Sequence, residues 1–122
     1  MIPAVGKGPG PVAMPMVEAF EYYGTPRGAV PNYVNSFATL SRADTLPYDA
    51  QAYASRIIVP TITIHSEHAL APPLARKFFE AIAGPKQIEW LESKGQIDFY
   101  DDPALIARAS DRIAAFFRAA LG

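Results

Sequence analysis

The 122-residue chain has no cysteine, so a disulfide framework and thiolate chemistry are both excluded. It also lacks a long apolar run. Nothing approaches the ~20 residues that a membrane helix needs, and no membrane partner is expected. The first residues lack a charged stretch followed by an apolar core, so no signal peptide is expected. Charge of one sign is missing too. Eleven basic and twelve acidic side chains leave a formal net charge of −1, with no basic stripe and no acidic tail, which argues against nucleic acid as a partner. These absences together suit a cytoplasmic protein.

What is present is apolar. Half of the residues are hydrophobic, and the length suits about one domain with a modest core. The twelve prolines are unevenly placed: Pro3, Pro9, Pro11 and Pro15 interleave with Gly6, Gly8 and Gly10. Proline removes backbone donors and glycine raises the entropy cost of ordering, so residues 1–15 read as an extended arm that needs a surface to lie on. The glycines of "GKGPGP" do not form a phosphate loop, because no strand precedes them and no Lys-Ser or Lys-Thr follows.

Residues 16–55 read as a cap-like segment, partly helical and partly irregular. "MVEAFEYYG" predicts two helical turns stopped by Gly24 and Pro26. The run after it carries turn signals and aromatics without a sustained period, as chain that packs over another surface does. A short helix is expected within 49–55, with Ala50 and Tyr53 on one face. Phe20, Tyr22, Tyr23, Tyr33 and Phe37 either line an apolar pocket or pack over a sheet.

Residues 56–122 read as strand, helix, strand, helix. "RIIVPTITIHSE" is apolar at nearly every position, as a strand buried on both faces would be, and Pro60 places its regular part from about Thr61. Pro72 or Pro73 opens a helix carrying Leu74, Phe78 and Ile82 on one stripe, ended by Gly84 and Pro85. "KQIEWLES" is the second strand. A loop holding Gly95 follows, and Asp102-Pro103 opens the last helix, over about 103–120. Its expected buried stripe is Ile106, Ala109, Ile113, Phe116, Phe117 and Ala120. This order predicts an α/β arrangement with two parallel strands. Two strands bury too little alone, so further strands are needed.

The quoted strands, with "SKGQIDFYDDP" and the closing "AAFFRAAL", resemble the C-terminal end of an α/β-hydrolase. The upstream "YYGTPRGAVPNYVNSFATLS" is similar to the lead-in of the dienelactone-hydrolase-like and polyketide-transferase-like branch. The resemblance covers about residues 20–121 and implies a partial α/β-hydrolase fold with the acid loop after the first strand and a histidine after the second. Several parts are missing. No Gly-x-Ser-x-Gly elbow occurs in the chain, Gln96 stands where the family's histidine is expected, and Ala69 stands where its acid loop often carries Asp.

Four residues are candidates for a site. Gln96 cannot act as a general base, because a primary amide does not gain and lose a proton near neutral pH; it orients a ligand or satisfies loop backbone. Glu67 and His68 lie at the carboxyl end of a parallel strand, where α/β sheets bind ligands, and stand in for the lost acid and base or are exposed loop residues. Asp98 pairs with Asp101 as an acid and base or serves the loop, while Asp101 and Asp102 favour the helix start. His65 is expected to be a hydrogen-bonded histidine at the sheet edge. No metal or other cofactor is expected, since His65 and His68 leave a strand and should point apart.

Three functional readings follow. The chain is a hydrolase-like protein, non-catalytic alone, because a triad needs its nucleophile and oxyanion donors preorganised together. It is an assembly module whose strand edges recruit a second copy or another sheet-completing partner. Or it hydrolyses a small acyl or ester ligand with an unusual site built from Glu67, His68 and Asp98 beside Gln96.

Overall fold

The computed structural model describes residues Met1–Gly122. They form two compact units, Met1–Tyr48 and Asp49–Gly122. No helix is long and apolar enough to cross a membrane.

In the first unit, helix α1 spans Val17–Tyr23 and closes on Gly24, whose N–H reaches the Phe20 carbonyl at 2.8 Å. The surface that the Pro/Gly-rich segment needs is chain from its own unit. Ile2 bridges Phe37 antiparallel and Val5 bridges Met14. The Asn35 side chain acts as a strand neighbour to Val5. Its Oδ1 accepts the Val5 N–H at 2.9 Å and its Nδ2 donates to the Val5 carbonyl at 3.0 Å. Val5 can therefore lie 1 % exposed without orphaned backbone groups. The aromatics pack on one another: Tyr22 meets Tyr23 edge-on at 5.0 Å, and Tyr23 stacks on Tyr33 at 6.2 Å. A short helix α2, Arg42–Thr45, follows a 3-10 turn at Thr39–Ser41.

The second unit begins with Asp49, which caps a 3-10 helix over Ala50–Arg56 by accepting the Gln51 N–H at 2.9 Å. Ala54 is the residue this helix buries, while Tyr53 stays half exposed. Three residues per turn, instead of 3.6, shift the inward position. Strands β1 (Thr61–His65) and β2 (Lys86–Trp90) then pair in parallel, with Thr61 level with Lys86 and His65 level with Trp90. The helix between them, α3, covers Pro72–Ala81 and opens on two prolines. Short helix α4 (Asp98–Asp101) occupies part of what the sequence reads as loop, and α5 runs over Pro103–Leu121. Asp102 caps α5, accepting the N–H groups of Ala104 at 2.9 Å and Leu105 at 3.1 Å.

Side-chain contacts assign the helices to faces. Alternation puts Lys86, Ile88 and Trp90 on one face of β2. There Arg76 of α3 lies 3.9 Å from the Trp90 ring centre, and Lys86 donates to the carbonyls of Glu80 in the last turn of α3 at 2.6 Å and of Ile82 just after it at 3.0 Å. On the opposite face Arg112 of α5 donates to Glu89 at 2.8 Å. Register places Ile62 and Ile64 on that α5 face, level with Gln87 and Glu89.

Little of the expected apolar pattern is covered, and α5 buries Leu105 in place of the expected Ile106. Every residue of β1 is only half-buried, not buried on both faces, because a single neighbouring strand leaves half of the layer open. Leu74 of α3 and Ile106, Ile113 and Phe117 of α5 are exposed, where the sequence predicts inward stripes. Ile82, Leu91, Ile97 and Leu105 are the large aliphatic side chains that this unit fully covers.

Gly84 ends the helix region by a different route from a left-handed cap. Its N–H donates to the Ile57 carbonyl at 2.8 Å. A Cβ there would sit 2.5 Å from the Ile58 carbonyl carbon and 2.8 Å from the Val59 oxygen. Those contacts are backbone and cannot swing aside. Gly84→Ala is expected to destabilise this unit by about 1–3 kcal/mol, read as a lower urea midpoint by circular dichroism; an unchanged midpoint would show that the chain before β1 is not held here.

Candidate functional site

A cleft of about 500 Å³ lies beyond the carboxyl ends of the two strands, lined by Ser66, Glu67, His68, Trp90, Leu91, Glu92 and Ser93. The ladder builds its floor. Leu91 N–H donates to the His65 carbonyl at 2.8 Å, which carries the two strand exits side by side. Ser66, one residue beyond β1, is fully buried. Its hydroxyl accepts from Ser93 Oγ at 2.8 Å and from the His68 backbone N–H at 3.1 Å. This hydroxyl pair joins the two exit loops at their base.

The wall on the α3 side is a charged and aromatic stack. Glu67 accepts hydrogen bonds from Arg76 Nη2 and from Trp90 Nε1 through the same oxygen. The Arg76 guanidinium covers the Trp90 ring, and His65 stacks on Trp90 with centroids 5.0 Å apart and planes 22° off parallel. His65 and Trp90 meet because they are register partners and project to one face. The His65 Nδ1 also contacts the Ser66 carbonyl oxygen at 2.9 Å.

Gln96 bonds to loop backbone. Its Oε1 accepts the Leu70 N–H at 3.0 Å, and its Nε2 makes a long 3.4 Å contact to the Tyr100 hydroxyl. The residue after Leu70, Ala71, has φ +52°, a left-handed conformation that non-glycine residues adopt at a cost. Gln96 thus tethers the loop next to its strained position. Asp98 Oδ2 accepts the Lys94 N–H at 2.6 Å and closes the turn that presents Gln96.

The four candidates from the sequence therefore divide. Glu67 and His68 line one cleft with the two serines. Gln96 is held to the neighbouring loop, and Asp98 lines a second, smaller depression with Glu92, Ser93, Lys94 and Asp102. No group of three or more histidine, aspartate or glutamate side chains converges as metal ligands would. The Ser66 hydroxyl is sealed from solvent and bonded to Ser93 and the His68 amide, not to an imidazole. Nucleophilic catalysis requires a hydroxyl within reach of a base and of its substrate, and Ser66 meets neither condition.

Sequence reasoning missed the Ser66–Ser93 pair and the Glu67–Arg76–Trp90 stack. They unite residues 9 to 27 positions apart, and the register of the strands together with the seating of α3 decides that they meet. Compared with known proteins, the chain matches no family model and no curated protein sequence.

Burial separates what these contacts contribute. Ser66→Ala would leave the Ser93 hydroxyl and the His68 N–H without their acceptor, and it is expected to cost about 1–3 kcal/mol. Glu67→Gln removes an ion pair whose carboxylate is 55 % exposed, and it is expected to cost less than about 1 kcal/mol. Urea unfolding of both variants checks the order; a larger loss in the glutamate variant would contradict it.

Proposed function

We propose that the chain is an α/β-hydrolase-like assembly module, non-catalytic by itself, that works by accepting a strand at the free edge of β1. The observation that carries this reading is the state of that edge. Thr61 N–H donates to the Pro85 carbonyl, and the His65 carbonyl accepts from Leu91. In a parallel ladder alternate residues face the neighbour, so Thr61, Thr63 and His65 bond to β2. Ile62 and Ile64 turn their N–H and C=O groups outward, where no backbone group of the chain pairs with them.

The composition of the two strands supports the same assignment. β2 carries Lys86 and Glu89, the kind of charge that natural edge strands use against association. β1 reads Thr-Ile-Thr-Ile-His, with no lysine, acid or interior proline to protect it. Two strands are below the number that stands alone in water, and the exposed Leu74, Ile106, Ile113 and Phe117 are surface that a larger layer would cover.

Against catalysis stand the sealed Ser66, the loop-bound Gln96 and the ion-paired Glu67. The purified chain is expected to hydrolyse p-nitrophenyl acetate no faster than its His68→Ala variant, and to show a light-scattering mass above that of one chain, rising with concentration. Turnover that His68→Ala abolishes, or a cooperatively folded monomer at every concentration, would overturn the reading.

A further inference from the structure

We infer that the strand accepted at this edge is β1 of a second copy, running antiparallel about a two-fold axis through Thr63. The inference rests on the strand-accepting reading above and goes beyond it by naming the partner and the register. Four outward groups are available, the N–H and C=O of Ile62 and of Ile64. In an antiparallel pair, residues of a hydrogen-bonded site exchange both of their bonds with the residue directly opposite. Centring the pair on Thr63 sets Ile62 opposite the partner's Ile64, and Ile64 opposite the partner's Ile62. All four groups of each copy are then used.

The side chains agree with that register. Thr-Ile-Thr-Ile-His is close to a palindrome about Thr63, as an isologous interface requires. Isoleucine meets isoleucine on the α5 face, threonine meets threonine at the axis, and Thr61 meets the partner's His65 on the α3 face. No like charges oppose each other within the five residues. Pro60 has no N–H to extend the ladder, so pairing ends where β1 begins. Self-pairing of β2 would instead bring Lys86 and Glu89 to the joint.

A two-fold axis perpendicular to the sheet preserves faces. Both copies of α5 would lie on one side of a four-stranded sheet and both copies of α3 on the other. Ile106, Ile113 and Phe117 of each copy would then share one side of the layer with those of its partner. Ile58 and Val59, 75 % and 62 % exposed immediately before the edge, add apolar surface beside the joint.

The cysteine-free chain makes the test direct, because any disulfide must come from an introduced residue. At the axis the Thr63 residues form a non-hydrogen-bonded pair with Cα atoms about 4.5 Å apart, within disulfide reach. Thr63→Cys is expected to cross-link under mild oxidation at least about tenfold faster than Thr61→Cys or His65→Cys alone at micromolar protein, because a millimolar local concentration within the dimer exceeds the bulk by up to about a thousandfold. Mixing the Thr61→Cys and His65→Cys chains is expected to give a mixed disulfide that neither gives alone. If light scattering shows an oligomer and neither cysteine result appears, the two-fold register is wrong while the strand-accepting reading survives. A monomer at all concentrations overturns both. Co-purification with a different protein in place of a second copy would also overturn the self-pairing.

Discussion

A single parallel ladder, opened by Thr61 N–H on the Pro85 carbonyl and closed by Leu91 N–H on the His65 carbonyl, places every part of the second unit. It sets His65 beside Trp90, so that the rings stack and Arg76 can lie on the indole. It brings Ser66 and Ser93 within hydrogen-bonding distance at the strand exits. It also aims Glu89 at Arg112 and thereby seats α5 on the opposite face. A slip of one residue would exchange the faces of all these side chains at once. The same ladder, having one side only, leaves Ile62 and Ile64 with their backbone groups turned away from β2.

The loops at the carboxyl end of the sheet form a cleft whose base is tied together by hydrogen bonds. A base, a nucleophile and an orienting acid must share hydrogen bonds for acyl transfer. Here several polar groups hold loops: Gln96 to Leu70, Asp98 to Lys94, Glu67 to Arg76 and Trp90, and Ser66 to Ser93 and the His68 backbone N–H. Glutamine suits the tether because it accepts a backbone N–H without carrying a charge into a half-buried position. A histidine there would bring a titratable ring, which is of use to an enzyme and not to a tether.

The secondary structure of the second unit was largely legible in its sequence. Pro60 marks the start of β1, Pro72 and Pro73 open α3, and Asp102-Pro103 opens α5, since each proline lies where a missing N–H costs little. The periodicity of α3 and α5 marked them as amphipathic but misjudged the inward side of α5, which buries Leu105 and turns Arg112 to Glu89 while Ile106, Ile113 and Phe117 stay exposed. Ala54 took the inward position expected near Ala50 and Tyr53 once the segment became a 3-10 helix. Helix α4 went unseen because four residues are too few to show a period.

For the site, residue chemistry was readable and residue geometry was not. The sequence alone determined that position 96 carries no proton shuttle, that no thiol exists and that no nucleophile elbow is present, since these are properties of side chains and of local order. Tertiary structure alone decided that Glu67 is ion-paired, that Ser66 is sealed against Ser93, and that the outward face of β1 is Ile62 and Ile64. Those facts depend on which strand lies beside which and in what register, and hydrogen bonds between residues far apart in the chain are set only when the sheet has formed.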